Sequence, residues 1–301
     1  MFSASQIIRK SMPDVAVLQE LDASLMSLLE PGLDTVLKRG AVSLNDSIAA
    51  KDGVGVYYNP RRFRLVDQRT VRFATVVEKH LPQLVESART DSSSLSLIRA
   101  LERELREKLN QVVMIRLKDI EFHEEIVACS SHLYWDPSYP DLKLLQSYIL
   151  AKEVDEFSRD CAGVVLGADL NSVPDSSAVY ELLMGAGKVE TTHPQHPVSL
   201  RSPNNVNSSR LRGIGSGEVS RLELLKPFRS AFKEINGTEP RFTNFTSTFK
   251  GCLDYVMLSG KLKAHSCEAL LDENALSEET ALPNSKIPSD HLPLVVDVAY
   301  S

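Results

Sequence analysis

Short runs of apolar residues recur along the chain between turn residues, and their Val, Ile and Leu content predicts β-strands. The predicted strands are residues 15–18, 53–58, 64–73, 112–117, 126–131, 163–166, 253–258 and 294–299. The runs at 112–117 and 126–131 flank a polar connection that contains Lys118 and Asp119, so we expect these two strands to form a hairpin.

Other segments place their apolar residues at the spacing of an α-helix. We predict helices at residues 3–10, 142–157 and 176–185, and the last of them has Asp175 as its expected N-cap. Hairpin connections and strand-to-helix connections therefore occur in the same chain. This mixture indicates an α/β protein with mixed sheets.

The segment 92–109 differs from the other helical patterns because it lies between two predicted strands. Its apolar residues recur at helical spacing, and Glu102 and Arg106 form an i,i+4 pair. We predict an amphipathic helix laid over a sheet edge, inside an insertion at about 80–109. Polar loops are expected at 203–217 and 271–286. No repeat and no clean linker divides the chain, so residues 1–301 are expected to form one domain.

Composition narrows the class of protein. Apolar residues make up 43% and charged residues 25% of the 301 residues, which excludes collagen, a disordered tail and a disulfide-rich miniprotein. The four cysteines have no CxxC or zinc-finger spacing, so we expect reduced thiols and a cytoplasmic protein, with the nucleus as a second location. No membrane-spanning run and no signal-peptide core is present, so no membrane partner is expected.

The charge balance is acidic. The 34 Lys and Arg residues and 40 Asp and Glu residues give a formal net charge of −6. Such a total opposes electrostatic capture of nucleic acid over the whole surface, which needs a basic footprint. It leaves open a local basic groove, or a carboxylate cluster that metal ions neutralise.

Polar residues that end the apolar strands are the candidates for chemistry, because loops at a sheet rim are where sites are built. They are Glu20, His132, Asp169 with Asn171, Asp254, and Asp290 with His291. Oxygen ligands with few imidazoles suit Mg²⁺ or Mn²⁺ better than zinc. Each residue alone also has an ordinary explanation as a solvated strand end, a turn, a core histidine, a salt-bridge partner or a loop cap.

Five motifs, taken together and in this order, resemble those of the exonuclease–endonuclease–phosphatase superfamily. They are LQE at 18–20, SHLYWDP at 131–137, LGADLNSVPDS at 166–176, FKGCLDYV at 249–256 and IPSDHLPL at 287–294. The resemblance implies a four-layer sandwich of two mixed β-sheets flanked by helices. It also implies cleavage of phosphate esters with Mg²⁺.

Within the superfamily, segments 132–146, 169–179 and 243–256 are similar to the poly(A) deadenylases of the carbon catabolite repressor type, the nuclease subunits of the Ccr–Not complex. The Trp-Asp-Pro sequence at 135–137 favours this branch over the related 2′,5′-phosphodiesterase, angel and nocturnin branches. The resemblance extends from Pro13 to Val298, apart from the insertion and the 203–217 loop.

The resemblance assigns ligands to the metal. Glu20 coordinates Mg²⁺ (or Mn²⁺), and Asp290 lies within reach of a second ion. Asp169 orients or deprotonates the attacking water, or binds the second ion. Two ions are expected, although one-metal and two-metal chemistry both stay open at this point.

The resemblance also assigns groups that contact the substrate. His132 and His291 donate to the phosphate as it gains charge, and Asn171 donates without adding negative charge. Asp254 accepts from a ring nitrogen of His291, which fixes the tautomer of that histidine and raises its pKa.

Pro137 and Phe249 are assigned to the terminal adenines by the same resemblance, because an aromatic face suits base stacking. For Phe249 the alternative is an ordinary core aromatic residue. Poly(A) RNA is the expected substrate partner.

The match breaks at the amino terminus. The family begins with a strand that ends in an Asn at the metal, and Asn45 and Asn59 lie in the wrong context to replace it. An incomplete chain, a short form with weak metal binding and an inactive descendant are the three explanations, of which we favour the first. The resemblance implies Ccr–Not-type scaffold proteins as further partners, although the leucine-rich repeats that tether such deadenylases are absent from this sequence.

The function expected from the sequence is therefore a Mg²⁺-dependent 3′→5′ exoribonuclease that shortens poly(A) tails and releases 5′-AMP. A phosphoesterase of the 2′,5′-phosphodiesterase, angel or nocturnin type is the first alternative. An inactive RNA-binding descendant is the second, and a DNA-repair endonuclease is a distant third.

Overall fold

A computed structural model describes residues 4–45, 52–85, 92–190, 192–196, 222–270, 281–284 and 287–301. The polar loop expected at 203–217, and most of the one expected at 271–286, lie outside the described residues. The helices are α1 (Ala4–Ser11), α2 (Ala23–Leu33), α3 (Phe73–Val85), α4 (Ser92–Arg106), α5 (Pro140–Phe157), α6 (Ala178–Met184) and α7 (Ala231–Asn236).

The longer strands are β1 (Val15–Leu21), β2 (Lys38–Leu44), β3 (Gly53–Tyr58), β4 (Phe63–Arg72), β5 (Gln111–Asp119), β6 (Glu125–His132), β7 (Gly163–Asp169), β13 (Asp254–Gly260), β14 (Leu262–Cys267) and β15 (Val296–Tyr300). Five two-residue strands complete the set: β8 (Lys188–Val189), β9 (Leu222–Glu223), β10 (Arg229–Ser230), β11 (Asn244–Phe245) and β12 (Lys250–Gly251).

All eight predicted strands are present, with ends shifted by a few residues, and β5 and β6 form the predicted hairpin. Among the longer elements, α2, α3, α7, β2 and β14 were not predicted, and neither were the five two-residue strands. The N-cap predicted for α6 was wrong. Ser177 caps this helix, since its hydroxyl accepts from the backbone N–H groups of Val179 and Tyr180, while Asp175 is exposed.

Two sheets pack face to face and carry helices on their outer faces. One sheet has three antiparallel strands in the order β1-β3-β2, and the other is mixed, with the order β10-β13-β7-β6-β5-β4. Helices α1 and α2 cover the outer face of the smaller sheet, and α3 to α6 cover the larger one. The result is the predicted four-layer α/β sandwich.

The hairpin β5–β6 shows how the sequence builds these layers. Val112, Met114 and Cys129 point to the helices, whereas Val113 and Ile115 point to the smaller sheet. Successive side chains of a strand face opposite sides. An uninterrupted apolar run therefore produces a strand that is buried on both faces, and the polar residues follow only at its ends.

Two helices, α3 and α4, occupy the segment between β4 and β5 in which one inserted helix was expected. The predicted pair is present, because the guanidinium of Arg106 donates to Glu102 over 2.8 Å. Lys79 and His80 of α3 each contact a carboxylate oxygen of Glu153 on α5, at 2.8 and 2.6 Å. Helix α3 therefore contacts α5 through polar and charged side chains as well as through apolar packing.

Two features bear on the class of protein. The four cysteines are all free, and Cys129 is fully buried. None of the helices in the described residues is both long and apolar enough to span a lipid bilayer.

Candidate active site

The strand register places three of the predicted site residues in one row across the larger sheet. His132 of β6 is paired with Asp169 of the parallel strand β7, and Asp169 is paired with Asp254 of the antiparallel strand β13. Each residue stands where its strand ends or begins, because the apolar run behind it is committed to the core. Strand pairing alone therefore brings together the motifs that contain His132, Asp169 and Asp254.

A fourth residue, His291, reaches this row from a loop. Asn244 of β11 forms an isolated β-bridge with His291, and its Nδ2 donates to Asp290 over 3.2 Å. The backbone N–H of Phe245 also donates to the carbonyl of Asp290, over 3.0 Å. The segment that contains Asp290 and His291 is therefore fixed to β11 by hydrogen bonds.

Asp169 is the buried carboxylate of the site, with 4% of its surface exposed. Its Oδ1 accepts from the backbone N–H of Asn171 over 2.7 Å, and its Oδ2 lies 3.4 Å from Nε2 of His132. Burial and the charge of Asp254 raise the pKa of Asp169 to about 6, although the two imidazoles and the Asn171 N–H act in the opposite direction. Its negative charge is therefore poorly compensated.

His291 is tied to the second carboxylate. Its Nδ1 donates to Oδ2 of Asp254 over 2.7 Å, and the hydroxyl of Thr243 donates to the same oxygen over 2.6 Å. Burial lowers the pKa of His291, but the hydrogen bond to Asp254 and the nearby negative charges outweigh this effect and raise the pKa to about 9. The expected contact and the expected direction are both present.

The protonated ring of His291 then has a second donor to offer. Its Nε2 lies 3.8 Å from Oδ2 of Asp169, across the row. A proton on Nε2 lies on the Asp169 side of the ring, and it can be donated to an oxygen that gains negative charge beside Asp169.

Asn171 holds His132 in place in this structure. Its Nδ2 donates to Nε2 of His132 over 2.9 Å and to the carbonyl of Leu133 over 3.1 Å. Its φ is +46°, a backbone conformation that costs energy for a residue with a side chain. The carbonyl of Asn171 accepts from Nζ of Lys143, a lysine that is 95% buried in α5, over 2.7 Å. These contacts stabilise the turn at Asn171 despite its strain.

Glu20 lies at an irregularity of β1. The pairing of β1 with β3 shifts between Leu18 and Leu21, and the φ of Glu20 is +56°. Its neighbour Gln19 donates to the hydroxyl of Ser130 over 3.0 Å, two residues before His132. The strained backbone therefore turns an exposed carboxylate outward at the same end of the sandwich as the row.

The donor set suits a divalent cation. Ligand atoms of Asp169, Asp254 and His291 all lie within 4.8 Å of one another. Glu20 and Asp290 are outside this group, although Asp290 is close enough for its charge to raise the pKa of His291. Carboxylate oxygens in a poorly compensated cluster fit a hard cation such as Mg²⁺, and the charge of that cation would relieve their repulsion.

The two residues predicted to contact adenine lie on the surface. Pro137 is exposed, and 41% of Phe249 is exposed. The ring of Phe249 covers Gly251, where an added Cβ would lie 2.7 Å from the ring, and the same position is close to Val173. Phe249 is therefore not a core residue. It stands beside the loop that follows Asn171, with part of its ring open.

A comparison with protein families agrees with this architecture and this rim. The model described as "Endonuclease/Exonuclease/phosphatase family" matches residues 3–291. The chain belongs to the endonuclease/exonuclease/phosphatase family. The enzymes of this family generally depend on divalent metal ions, which agrees with the donor set above.

Curated relatives within the family point to nucleases and phosphoesterases. A probable Ccr4–Not complex 3′-5′-exoribonuclease subunit Ccr4 of Vairimorpha ceranae is 29% identical over 189 residues, which cover 62% of this chain and 34% of the relative. The 2′,5′-phosphodiesterase 12 of Mus musculus is 24% identical over 300 residues, which cover 95% of this chain and 43% of the relative. The chain thus spans less than half the length of these relatives.

A solved member shares the fold. The crystal structure of ANGEL2, a 2′,3′-cyclic phosphatase, superposes with a TM-score of 0.74 at 21% identity and covers 98% of this chain and 84% of that one. The shared fold establishes the four-layer architecture of the family for this chain.

No supporting role was predicted for the residues that contact the site residues from the interior of the protein. Gln146 of α5 is fully buried, and its side chain accepts from the N–H of Tyr134 and donates to Asn110, which in turn donates to the carbonyl of His132. Thr243 and Lys143 act in the same way on Asp254 and Asn171. For Lys143 and Gln146, a polar side chain on the buried face of α5 was the sequence feature that could have indicated this supporting role.

Proposed function

We propose that the protein is a Mg²⁺-dependent 3′→5′ exoribonuclease that shortens poly(A) tails and releases 5′-AMP. The observation that carries the proposal is the convergence of Asp169, Asp254 and His291 at one rim, within 4.8 Å. The 3′-5′-exoribonuclease relative and the deadenylase-like segments at 132–146, 169–179 and 243–256 support the choice of substrate.

The metal is assigned to carboxylates. Asp169, Glu20 and Asp290 would hold the ions, while His291 would act as a hydrogen-bond donor, because its Nδ1 is already bonded to Asp254 and its Nε2 can donate. When bound, Mg²⁺ supplies charge to the phosphate and lowers the pKa of a bound water. Two ions are proposed, as the family resemblance implies.

The chain's own groups do the remaining work. Asp169 would orient the attacking water or accept its proton. His291 donates from Nε2 to a phosphate oxygen as negative charge develops there, with Asp254 holding the opposite nitrogen. His132 and Asn171 are proposed to donate to the phosphate after they exchange their present mutual contact for it.

Substrate selection is assigned to the open faces beside the rim. Pro137 and Phe249 are proposed to contact the terminal adenines, and the exposed part of the Phe249 ring is available for stacking. We further propose a cytoplasmic enzyme, with the nucleus as a second location. The Ccr4–Not relative suggests scaffold proteins as partners alongside the RNA.

The test uses 5′-labelled RNAs that end in A₂₀ or U₂₀, incubated with the protein in Mg²⁺ or in EDTA. We expect a ladder of products that shorten from the 3′ end, faster on A₂₀, abolished by EDTA and by Asp169→Asn. Equal rates on the two tails contradict the poly(A) assignment. Absence of any EDTA-sensitive cleavage contradicts the enzyme assignment and favours an inactive RNA-binding protein.

A second candidate is a 2′,5′-phosphodiesterase, which the mouse relative favours because its similarity extends over 95% of this chain. The rim would be the same, since both linkages present a phosphodiester. Hydrolysis of 2′,5′-linked and 3′,5′-linked adenosine trimers at equal concentration separates the two. A markedly higher kcat/KM on the 2′,5′-linked trimer would replace the leading proposal.

A further inference from the structure

The chain's single tryptophan stands next to the site with most of its ring in water. Trp135 is 67% exposed, more than any other aromatic side chain among the exposed large apolar residues. Phe122 at 52% and Phe249 at 41% follow it. An indole has a large apolar face, and leaving it in water forgoes the stabilisation that burial would bring. An exposed tryptophan beside a site is therefore a candidate for ligand contact.

The backbone around Trp135 is fixed rather than loose. Leu133 is fully buried and its N–H donates to the carbonyl of Asp169 over 3.0 Å. Tyr134 donates its N–H to the buried side chain of Gln146 over 2.9 Å. The two residues between His132 and Trp135 are thus anchored to the site itself, so the indole keeps a defined position relative to the catalytic row.

Trp135 is the outer member of a group of three aromatic rings. The centroids of Trp135 and Tyr134 lie 6.0 Å apart with a 50° angle between the rings. Tyr134 and Tyr139 meet edge to face, with centroids 5.3 Å apart and an angle of 86°. The tyrosines are half-buried and brace the inner side of the group, while the indole presents the open face.

A cation accompanies these rings. Nζ of Lys108 lies 4.4 Å from the ring centroid of Tyr134 and 5.3 Å from that of Tyr139. Within the described part of the chain, no carboxylate pairs with Lys108, and its polar neighbour is the hydroxyl of Tyr134 at 3.4 Å. An ammonium group held over aromatic rings without an acidic partner can bind a phosphate.

We propose that Lys108, Tyr134, Trp135 and Tyr139, the Trp135 platform, stack a nucleobase of the RNA strand and bind its phosphate, one or more nucleotides away from the scissile bond. This inference rests on the proposed function and deepens it by adding a subsite. An open aromatic face fits a base, and the adjacent ammonium of Lys108, which pairs with no carboxylate among the described residues, fits its phosphate. The flanking Asp136 is occupied by Ser138, whose N–H and hydroxyl donate to it.

The test reads the platform directly, since Trp135 is the sole source of tryptophan fluorescence. The protein is titrated with an A₈ oligonucleotide in EDTA, which prevents cleavage. We expect saturable quenching of the fluorescence. In parallel, binding of labelled A₈ is measured for Trp135→Ala, for Trp135→Phe and for Phe122→Ala, an exposed aromatic on β5–β6 at the opposite rim. Thermal unfolding checks that each variant is folded.

The expected results separate the platform from a structural role. Trp135→Ala weakens A₈ binding about tenfold and raises KM for A₂₀ with kcat unchanged, whereas Trp135→Phe recovers most of the affinity and Phe122→Ala changes nothing. No quenching, together with equal affinity of wild type and Trp135→Ala, overturns the platform. That outcome would instead indicate that the exposed indole contacts a protein partner.

The platform and the proposed function fail in different ways. Quenching by A₈ in EDTA without any cleavage in Mg²⁺ supports the platform and contradicts the proposed exoribonuclease activity. Cleavage of A₂₀ with the same KM for wild type and Trp135→Ala overturns the platform and leaves the exoribonuclease standing.

Discussion

Two buried carboxylates stand at opposite ends of the larger sheet, and their surroundings differ. Asp119 ends β5, at the rim where β6 begins, whereas Asp169 ends β7 beside the end of β6. Asp119 is fully buried and Asp169 is 4% exposed. Both residues terminate apolar strands and both are buried, so burial does not distinguish them.

The partners of the two carboxylates make the difference. Asp119 accepts from Nε and Nη2 of Arg62, from the hydroxyl of Tyr300 and from the backbone N–H groups of Glu121 and Phe122, all within 3.2 Å. These bonds outweigh the effect of burial and lower its pKa.

Asp169 has a much poorer set of donors. One backbone N–H reaches it within hydrogen-bond distance, the imidazoles lie at 3.4 and 3.8 Å, and Asp254 adds a second negative charge. Its pKa rises to about 6.

The nearby cations follow the same contrast. Arg62 donates two hydrogen bonds to Asp119. Lys143 is the buried cation near Asp169, but it donates to the carbonyl of Asn171 instead. A carboxylate with many hydrogen-bond donors, such as Asp119, stabilises the folded state. A buried carboxylate with few donors, such as Asp169, lowers stability and remains available for chemistry.

The largest effect is expected for Asp169→Asn. The substitution keeps the shape and removes the charge, so cleavage of A₂₀ should fall about 10³-fold or more, because both metal binding and base function are lost. The free energy of unfolding should stay equal or rise, since a poorly compensated buried charge disappears. Single-turnover cleavage and urea denaturation measure the two quantities. Activity within tenfold of wild type would remove Asp169 from the mechanism.

Asp119→Asn should give the converse result. Loss of the buried carboxylate leaves Arg62 without its forked partner, which is expected to cost about 2–4 kcal/mol of unfolding free energy. Cleavage per folded molecule should remain within about twofold of wild type, because the residue lies at the far rim.

Glu121→Gln is the matched control for this substitution. Its carboxylate pairs with the same Arg62 but is 65% exposed, so the expected cost is below about 1 kcal/mol. Equal destabilisation by the two substitutions would contradict a larger contribution from the buried carboxylate of Asp119.

The pH dependence of stability should differ in sign between the two rims, in metal-free protein with a chelator present. The folded pKa of Asp119 is lowered, so its stabilising contribution is present above the unfolded pKa of about 4 and is lost as pH falls below it. The deficit of Asp119→Asn should therefore shrink in acid.

The folded pKa of Asp169 is raised, so stability is lost as pH rises from about 4 through about 6. Asp169→Asn should gain on wild type over this interval by about 2–3 kcal/mol, since each unit between a pKa of about 4 and one of about 6 is worth about 1.4 kcal/mol. Urea denaturation of the three proteins at a series of pH values measures both trends. A parallel shift of the two variants would contradict the contrast.

The comparison also shows what could be predicted from the sequence. Strands buried on both faces were visible as apolar runs, and the residues that end them lead to the row of His132, Asp169 and Asp254. Helix α2 was missed because Pro31 and Gly32, two residues that normally end a helix, lie in its last turn.

Polar support from distant segments was not visible. Gln146 and Thr243 each contact the site through pairings 10 to 36 residues apart, which no local pattern encodes. The sequence marks Asp169 through its motif, but it does not reveal the hydrogen-bond donors around either Asp119 or Asp169. Their difference lies in tertiary partners such as Tyr300, which is 181 residues away from Asp119.

Lys143→Met should give the smallest effect and sharpen the contrast between the two cations. Burial lowers the pKa of Lys143 to about 8, although the charges of Asp169 and Asp136 oppose this, so the ammonium is costly to keep in the fold. Its removal should raise the unfolding free energy by about 1 kcal/mol. The turn at Asn171 loses its anchor, so kcat on A₂₀ should fall about fivefold to tenfold with little change in KM.

Lys152→Met on the same helix is the control for Lys143→Met, because its ammonium lies over the ring of Tyr148 rather than under the site. It should leave kcat unchanged. Urea denaturation and steady-state cleavage of A₂₀ compare the two variants. If Lys143→Met destabilises the protein as strongly as Asp119→Asn, then Lys143 serves the fold as Arg62 does. A loss of kcat without a loss of stability instead assigns Lys143 to the positioning of Asn171, and with it of His132.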